Sequence, residues 1–338
     1  MRQSLTKIYK WEFWPFWFFY IPVYFYWLYL SLRAKSFFFF SAANPLMELG
    51  GFSNYSKYNV LKNIPPQYIP KTILISTYQE KRNIEAILAE NQLSFPLIAK
   101  PDRGERGKGV TKVKNLEELK TYLFEAGKEV ILQEFIEYPL EFGVMYYRLP
   151  NEKRGQVSSI VQKEFLSVVG DGNSTVQELV IKNQRSHLFL KHLQEKYPEV
   201  LHTVPAKDEK LILEPIGNHS RGTIFLNATH LVNEELIDVF DQISQQIKGF
   251  YFGRYDLKVK SLEDLYTGEN IKIMELNGAN SEPAHIYDPH MPILQAYRFL
   301  FSHWSNLYQI SVKNHQNGIN YIGQRYAFTQ VLKQLKGN

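Results

Sequence analysis

The stretch Phe95-Pro-Leu-Ile-Ala-Lys-Pro-Asp-Arg-Gly-Glu-Arg-Gly-Lys-Gly-Val110 places a lysine at the end of an apolar run, followed by three glycines. The apolar run predicts a buried strand, and Gly104, Gly107 and Gly109 predict a loop that can lie flat against a polyphosphate. Backbone N–H groups of such a loop can donate to phosphate oxygens, and Lys100 can add a positive charge. The spacing is neither the Walker nor the Rossmann pattern, so a plain glycine hairpin is the alternative.

A second motif follows, Leu132-Gln-Glu-Phe-Ile-Glu-Tyr-Pro-Leu-Glu-Phe-Gly-Val144, in which an apolar strand ends in a polar and an acidic residue. Carbonyl groups at such a strand end can accept a hydrogen bond from an adenine amino group. A carboxylate beyond the strand can bind the hydroxyls of a ribose. An ordinary strand and turn would have the same pattern, so this motif gains its meaning only from its neighbours.

Two later segments, Gly253-Arg-Tyr-Asp-Leu-Lys-Val259 and Ile273-Met-Glu-Leu-Asn277, both have the pattern of strands with polar residues on one side. Because Glu275 and Asn277 are two residues apart, they face the same side of a strand. The other strand can bring Asp256 beside them. Two carboxylates and an amide oxygen form a hard-oxygen site of the kind that magnesium favours. A solvated strand face is the alternative.

Composition limits the class of protein. The chain has 338 residues, of which 44% are hydrophobic and 22% charged, so it can form one large domain or several lobes with a core. It contains no cysteine, which excludes disulfides, thiolate metal sites and a cysteine nucleophile. The net charge is only +5 and the basic residues are dispersed, so we expect no nucleic-acid partner.

The N-terminal part contains an uncharged aromatic run from Phe13 to Leu32. As a single helix these residues would span about 30 Å, the thickness of a bilayer core. Pro15 and Pro22 would interrupt that helix, and its tryptophans and tyrosines favour the membrane interface over its centre. We therefore predict lipid contact through residues 11–36, with a full span and an interfacial segment both open. Burial against protein is the alternative.

Taken in order, the motifs resemble the ATP-grasp superfamily, which includes D-alanine–D-alanine ligase, glutathione synthetase and cyanophycin synthetase. The resemblance extends from about Lys57 to Asp288, roughly two thirds of the chain. It rests on the ordered set Lys57, Pro70-Lys-Thr72, Phe95–Val110, Gln133-Glu-Phe-Ile136, Asp256 and Glu275-Leu-Asn277. The turn Val169-Gly-Asp-Gly-Asn-Ser-Thr175 resembles one in cyanophycin synthetase.

The resemblance implies an α+β fold in which two lobes clasp ATP, with a truncated N-terminal lobe and an aromatic N-terminal segment. The expected divisions are an aromatic membrane-associated segment (1–36), a truncated region (37–70), a small lobe (71–130), a large lobe with the metal site (131–312) and a tail (313–338). Within the truncated region, Phe37–Phe40 predicts a short strand.

The resemblance also implies roles for individual residues. The expected ATP contacts are Lys57, Lys100, Gly104, Gly107, Gly109, Gln133, Glu134, Ile136 and, at the ribose, Glu141. Asp256, Glu275 and Asn277 would hold two magnesium ions. Arg221 and Lys100 would act on the reacting phosphate. The candidate substrate-binding residues are Asn218, Ser281, Glu282 and His285.

The implied activity is an ATP- and magnesium-dependent joining of a carboxylate to an amine through an acyl phosphate. The aromatic run suggests a lipid or lipid-linked substrate and a place at the cytoplasmic face of a membrane. Two alternatives stay open. One is an ATP-grasp kinase that phosphorylates a small molecule or a lipid head group, and the other is a non-catalytic nucleotide-binding membrane protein.

Overall fold

The computed structural model describes residues 10–76, 78–104, 107–126, 129–183 and 185–337. Glu105 and Arg106, which belong to the predicted glycine loop, lie outside the described residues.

A four-stranded antiparallel sheet forms the smaller of two main sheets. Its strands are β1 (Thr72–Ile75), β2 (Leu97–Pro101), β3 (Thr111–Val113) and β4 (Val130–Glu134), in the order β1-β4-β2-β3. The helices Ile84–Glu90 and Leu116–Ala126 pack on one face, where apolar side chains such as Leu97 and Leu132 form a core. Because side chains alternate along a strand, Lys100 and Gln133 lie on the opposite face.

A five-stranded antiparallel sheet forms the larger unit. Its strands are β5 (Leu140–Tyr147), β6 (Gln156–Glu164), β9 (Ile224–Asn227), β10 (Phe252–Val259) and β11 (Lys272–Asn277), in the order β11-β10-β5-β6-β9. The helix Glu234–Gln245 covers one face, where Phe240 contacts Tyr255. The short strands β7 (Ser167–Val169) and β8 (Lys210–Ile212) form a separate ribbon.

The remaining α-helices are Phe16–Phe19, Ile21–Ala34, Lys57–Leu61, Tyr78–Arg82, Val176–Lys182, Leu190–Lys196, Pro198–Leu201, Leu262–Thr267, Ile293–Gln316 and Gln324–Gly337. The helix Ile293–Gln316 extends into residues 313–338, the region predicted as a tail, and the helix Gln324–Gly337 lies within it. The predicted strand at Phe37–Phe40 is wrong, since these residues lead into a 3-10 helix, Phe39–Ala42. Its Phe39 is fully buried and lies edge-on to Tyr308 of the long helix Ile293–Gln316, so aromatic packing decides the local conformation.

The aromatic N-terminal run is divided into a 3-10 helix, Trp11–Phe13, and the helices Phe16–Phe19 and Ile21–Ala34. Pro15 precedes the second of these and Pro22 lies in the first turn of the third, where a missing N–H costs little. One side of this segment packs on the helix Ile293–Gln316. In the part of the chain that the structure describes, no helix has the length and apolar character needed to cross a membrane.

Candidate active site

The three predicted metal residues lie together on the face of the five-stranded sheet that is turned away from the helix Glu234–Gln245. Strands β10 and β11 pair so that Asp256 is opposite Glu275, and Arg254 is opposite Asn277. The Nδ2 atom of Asn277 donates to Oδ2 of Asp256 at 2.8 Å. Antiparallel pairing therefore brings the two carboxylates and the amide to one part of the sheet, and their role as metal ligands stays a prediction.

Cations neutralise both carboxylates. Lys57 Nζ lies 3.0 Å from Glu275 Oε1, and Asp256 forms ion pairs of 3.0 Å with both Lys163 Nζ and Arg254 Nη2. Burial by itself would raise the pKa of Asp256 and of Glu275. The neighbouring cations outweigh burial and hold both pKa values below their usual range, so both groups are carboxylates at neutral pH.

Lys100 reaches across from the smaller sheet to the larger one. Its Nζ donates to Gln133 Oε1 and to the carbonyl of Met274, each at 3.0 Å. Met274 has no partner in the β10–β11 pairing, because the register shifts there. Burial lowers the pKa of Lys100 to about 8, although the charge of Glu275 opposes the shift. The lysine is thus poised to change its protonation when an anion binds.

Glu141 of β5 completes this arrangement through an ion pair of 2.9 Å with Lys163. We define the charged face as Lys57, Lys100, Glu141, Lys163, Arg254, Asp256, Glu275 and Asn277. On it, four cationic side chains stand against three carboxylates. The face therefore offers several cationic partners to an anion such as a polyphosphate.

The donor set also fits magnesium. Asp256, Glu275 and Asn277 offer the carboxylate and amide oxygens that this ion prefers. No three histidine or acidic side chains converge on a metal site within the described ranges. An ion held here would therefore depend on two carboxylates, one amide and oxygens of the nucleotide.

Asp102 places Lys57, and sequence reasoning missed it. Lys57 is the first residue of the helix Lys57–Leu61. The Oδ1 atom of Asp102 accepts from Ser56 Oγ at 3.0 Å and from the backbone N–H of Tyr58 at 2.8 Å. Asp102 directly follows β2 and thus joins the strand that carries Lys100 to the helix that carries Lys57. The sequence signal that could have indicated a role for Asp102 is its position directly after Lys100-Pro101.

Arg221 contacts the glycine loop, where Gly107 and Gly109 have positive φ angles of 68° and 76°. Arg221 Nη2 donates to the carbonyl of Gly107 at 2.8 Å. A Cβ atom on Gly107 would lie 2.6 Å from Nδ2 of Asn218, so the loop approaches this segment too closely for a side chain. Gly104 has no such constraint. The segment 218–221 therefore holds the glycine loop at Gly107.

The predicted adenine-contacting residues have partners within the chain. Gln133 Nε2 donates to Thr72 Oγ1 at 3.0 Å, so the Gln133 side chain orients Lys100. Glu134 accepts from the backbone N–H of Lys71 at 3.2 Å. The carbonyl of Ile136 accepts from Lys258 Nζ at 2.9 Å. Their contact with adenine stays a prediction.

The predicted substrate residues divide into two groups. Glu282 is beside the charged face, since its carbonyl accepts from Arg254 Nη1 at 3.0 Å. Ser281 is buried and donates to a local carbonyl at 2.6 Å. His285 is also buried, edge-on to Phe299, and burial lowers its pKa to about 4. The imidazole is therefore neutral at neutral pH, and its position is that of a packing residue.

Sequence reasoning also missed a buried carboxylate directly before the uncharged aromatic run. Glu12 lies 2.9 Å from Arg185 Nη1 and 3.3 Å from His219 Nε2. Its immediate neighbours in the sequence are aromatic, so only the structure shows its partners. A cavity of about 230 Å³ opens here, lined by Glu12, Phe13, Trp14, Leu188, Phe189, His219 and Ser220. The last of these residues precedes Arg221, so the cavity adjoins the segment that holds the glycine loop.

Comparisons with known proteins give structural neighbours only. No known family model matches the chain, and no curated protein matches it. A bifunctional glutathione synthetase from Pasteurella multocida is 20% identical, with 73% of this chain and 36% of that one covered and a TM-score of 0.36. The D-alanine–D-alanine ligase from Bacillus anthracis is 16% identical, with 78% and 69% covered and a TM-score of 0.46.

A third neighbour, the D-alanine–D-alanine ligase from Helicobacter pylori, is 18% identical, with 76% and 60% covered and a TM-score of 0.39. The chain thus spans little more than a third of the glutathione synthetase. These three neighbours are a glutathione synthetase and two D-alanine–D-alanine ligases.

Proposed function

We propose that the protein is an ATP- and magnesium-dependent ligase that joins a carboxylate to an amine through an acyl phosphate. The charged face carries this proposal. Asp256, Glu275 and Asn277 meet on one sheet, and Lys57 and Lys100 reach them from two other elements. An ion-pair network that served only the stability of the fold would not need a neighbouring loop whose glycines have positive φ angles.

The triphosphate of ATP would bind between the charged face and the glycine loop. Lys57 and Lys100 would turn their ammonium groups to phosphate oxygens, since both already lie at the junction of the two sheets. Asp256, Glu275 and Asn277 would hold magnesium, which supplies neutralisation of the triphosphate charge. Lys57, released from its ion pair with Glu275, would then pair with a phosphate oxygen in place of the Glu275 carboxylate.

In the first step, a substrate carboxylate oxygen attacks the γ-phosphorus, and the bond from the γ-phosphorus to the bridging oxygen breaks to release ADP. In the second step, the amine attacks the acyl carbon. A C–N bond forms, the C–O bond to phosphate breaks, and the amine loses a proton. Arg221, which contacts the glycine loop, and Arg254, which pairs with Asp256, would stabilise the developing negative charge. No nucleophilic side chain is required.

The cavity beside Glu12 would bind one of the two substrates. It adjoins Arg221 through Ser220, and its aromatic walls suit an apolar body. A substrate amine near Glu282, whose backbone carbonyl accepts from Arg254, would be attracted by the Glu282 carboxylate. Both substrate groups would then lie within the region between the aromatic segment and the charged face.

Labelled oxygen distinguishes a ligase from a kinase. A carboxylate substrate carrying ¹⁸O should transfer one labelled atom to the inorganic phosphate that a ligase releases. Retention of phosphate on the product would instead identify a kinase, and MgATP binding with no substrate-dependent ADP release would identify a non-catalytic protein. Panels of carboxylates and amines, both water-soluble and lipid-linked, serve as probes.

Substitutions test the metal residues directly. Glu275→Gln should lower ADP release by about 10²–10³, the usual effect of losing one charged contact to a transition state. The matched control is Glu263→Gln, which changes an exposed glutamate on the same lobe. Removal of magnesium with EDTA should abolish ADP release in the unmodified protein. Near-normal turnover of a folded Glu275→Gln variant would refute the assignment.

A further inference from the structure

The helix Ile21–Ala34 is apolar on all its sides, a pattern that is typical of helices covered on all sides. Among the residues that the structure describes, only one side of this helix is covered by protein. Val23 and Leu30 are buried, and Tyr26 lies edge-on to Phe301 of the helix Ile293–Gln316 at a ring distance of 5.0 Å. The other side is exposed to solvent along the whole helix.

We define the outer face as Ile21, Phe25, Leu28, Tyr29 and Leu32, whose side chains recur at helical spacing. Each of them is between 39% and 71% exposed. Trp17, in the preceding short helix, extends this surface and is 65% exposed. Scattered exposed apolar residues are ordinary, but a continuous stripe along a helix marks a binding surface.

The charges around the outer face favour an anionic occupant. No aspartate or glutamate occurs between Glu12 and Glu48. Lys10, at one end of the aromatic run, and Arg33 and Lys35, at the other, are exposed. A second copy of this chain would bring these cations against each other, whereas anionic lipid head groups would neutralise all three. Tryptophan and tyrosine in the stripe are also the residues that prefer a membrane interface.

We propose that the outer face lies in the head-group region of an anionic lipid bilayer, with the helix Ile21–Ala34 parallel to the membrane surface. The helix has 14 residues, and one of its sides packs on protein while the other is exposed. Both features suit an orientation parallel to the membrane surface. Arg33 and Lys35 contact lipid phosphates or carboxylates, and the apolar side chains enter the acyl boundary.

A short chain of contacts joins the outer face to the charged face. Tyr20, adjacent to Ile21, donates its hydroxyl to the carboxylate of Glu282. The backbone carbonyl of Glu282 accepts from Arg254, which pairs with Asp256 at 3.0 Å. The outer face is thus joined to the charged face through few residues, which favours an amphiphile with its polar group at the membrane surface as the substrate. This substrate class rests on the proposed function, whereas the docking itself does not.

Vesicle flotation with the full chain tests the docking. The protein should float with phosphatidylcholine vesicles containing about 30% phosphatidylserine, and less with phosphatidylcholine alone. The triple variant Trp17→Ser/Phe25→Ser/Leu32→Ser should lose at least about ten-fold in partitioning, because three apolar groups no longer enter the membrane. Phe124→Ser is the control, since Phe124 is 88% exposed on the smaller lobe.

A second pair of variants tests how much the positive charges contribute to vesicle binding. Arg33→Gln/Lys35→Gln should weaken partitioning on anionic vesicles by about five-fold for each charge, with the loss diminished in high salt. Lys191→Gln/Lys196→Gln removes two exposed cations from the helix Leu190–Lys196, which is not part of the outer face, and should change nothing.

Failure of the unmodified chain to float, or equal flotation of the triple variant, would overturn the docking. A dimer in solution that the triple variant converts to a monomer, without flotation, would show that the outer face joins two copies. Flotation without any substrate-dependent ADP release would count against the proposed ligase alone. ADP release from water-soluble substrates without flotation would count against the docking alone.

Discussion

At the scale of single residues, Lys100 links protonation to nucleotide binding. Burial lowers its pKa to about 8, so above that pH the free protein loses this positive charge. Phosphate oxygens nearby would restore the proton by favouring the charged form. MgATP binding near pH 8.5 should therefore take up protons, and the affinity should fall as pH rises above 8. The same burial makes charged Lys100 destabilising in the free protein below pH 8, a penalty that fades towards pH 10.5.

Calorimetry in buffers of different ionisation enthalpy measures this proton uptake. Lys100→Arg is the informative comparison, because a guanidinium stays protonated and should abolish the uptake while keeping a positive charge. An unchanged uptake in this variant would assign the proton to another group.

The sequence predicts the acidic residues of the site but only some of their counter-charges. Glu275 and Asn277 were found because strand periodicity places residues two apart on one side. Lys163 was missed, since its pairing with Asp256 depends on how β6 and β10 lie on either side of β5. Arg254 lies two residues before Asp256 on the same strand, so strand periodicity could have found it. Periodicity gives the face of a residue, whereas register between strands is a tertiary property.

At the scale of elements, the cap of the helix Lys57–Leu61 couples stability to nucleotide affinity. Asp102→Ala removes an acceptor from Ser56 and from the backbone of Tyr58. We expect a loss of about 1–3 kcal/mol in the free energy of unfolding and weaker MgATP binding, since Lys57 is no longer held. Urea denaturation and calorimetry measure the two effects.

Ser261→Ala is the matched control for this cap. Ser261 Oγ accepts from the backbone of Asp264 at the start of the helix Leu262–Thr267, on the edge of the same lobe. Its loss should cost about 1 kcal/mol and leave MgATP affinity unchanged. Equal loss of affinity in both variants would show a general effect of destabilisation, without a positioning role for Asp102.

The ion pair of Glu12 with Arg185 fixes the aromatic segment to the larger lobe. Arg185→Met should cost about 3–5 kcal/mol in the free energy of unfolding, because it leaves a buried carboxylate with only His219 nearby. Adding Glu12→Gln should recover part of that loss in a double-mutant cycle. Lys191→Met, which breaks an exposed pair with Glu195, should change stability by less than about 0.5 kcal/mol.

This pair also predicts a response to acid. Burial would raise the pKa of Glu12, but His219 and Arg185 outweigh it and lower the pKa. The contribution to stability is thus full above the ordinary value of 4.5 and is lost as pH falls through the lower pKa of the folded state. Hydrogen exchange of the helix Trp11–Phe13 should rise selectively below that pH, and Glu12→Gln should remove the pH dependence.

Among the elements, the strands that carry Lys100, Asp256 and Glu275 were predictable and the conformation of the aromatic region was not. Strand propensity favours Phe37–Phe40, yet Phe39 packs into a 3-10 helix against the helix Ile293–Gln316. Propensity for strands mainly describes packing on a half-buried surface, so a different packing partner reverses it.

At the scale of the whole molecule, the aromatic segment belongs to the core as well as to the proposed membrane surface. Four of its side chains, Phe19, Tyr20, Val23 and Leu30, are at most 5% exposed. Burying each of these contributes about 1.5–3 kcal/mol, so together they approach the total stability of an ordinary domain. A truncation of this segment therefore removes part of the fold as well as the outer face.

Deletion of residues 1–36 should accordingly abolish cooperative thermal unfolding, because the helix Ile293–Gln316 would lose the partners of Leu300 and Leu307. The triple variant of Trp17, Phe25 and Leu32 should unfold within a few degrees of the unmodified chain, since these side chains are exposed. Thermal melts and binding of a hydrophobic dye measure both. A deletion variant that melts cooperatively near the original temperature would show that the segment is an accessory anchor, and loss of the fold in the triple variant would show that the outer face is covered by protein.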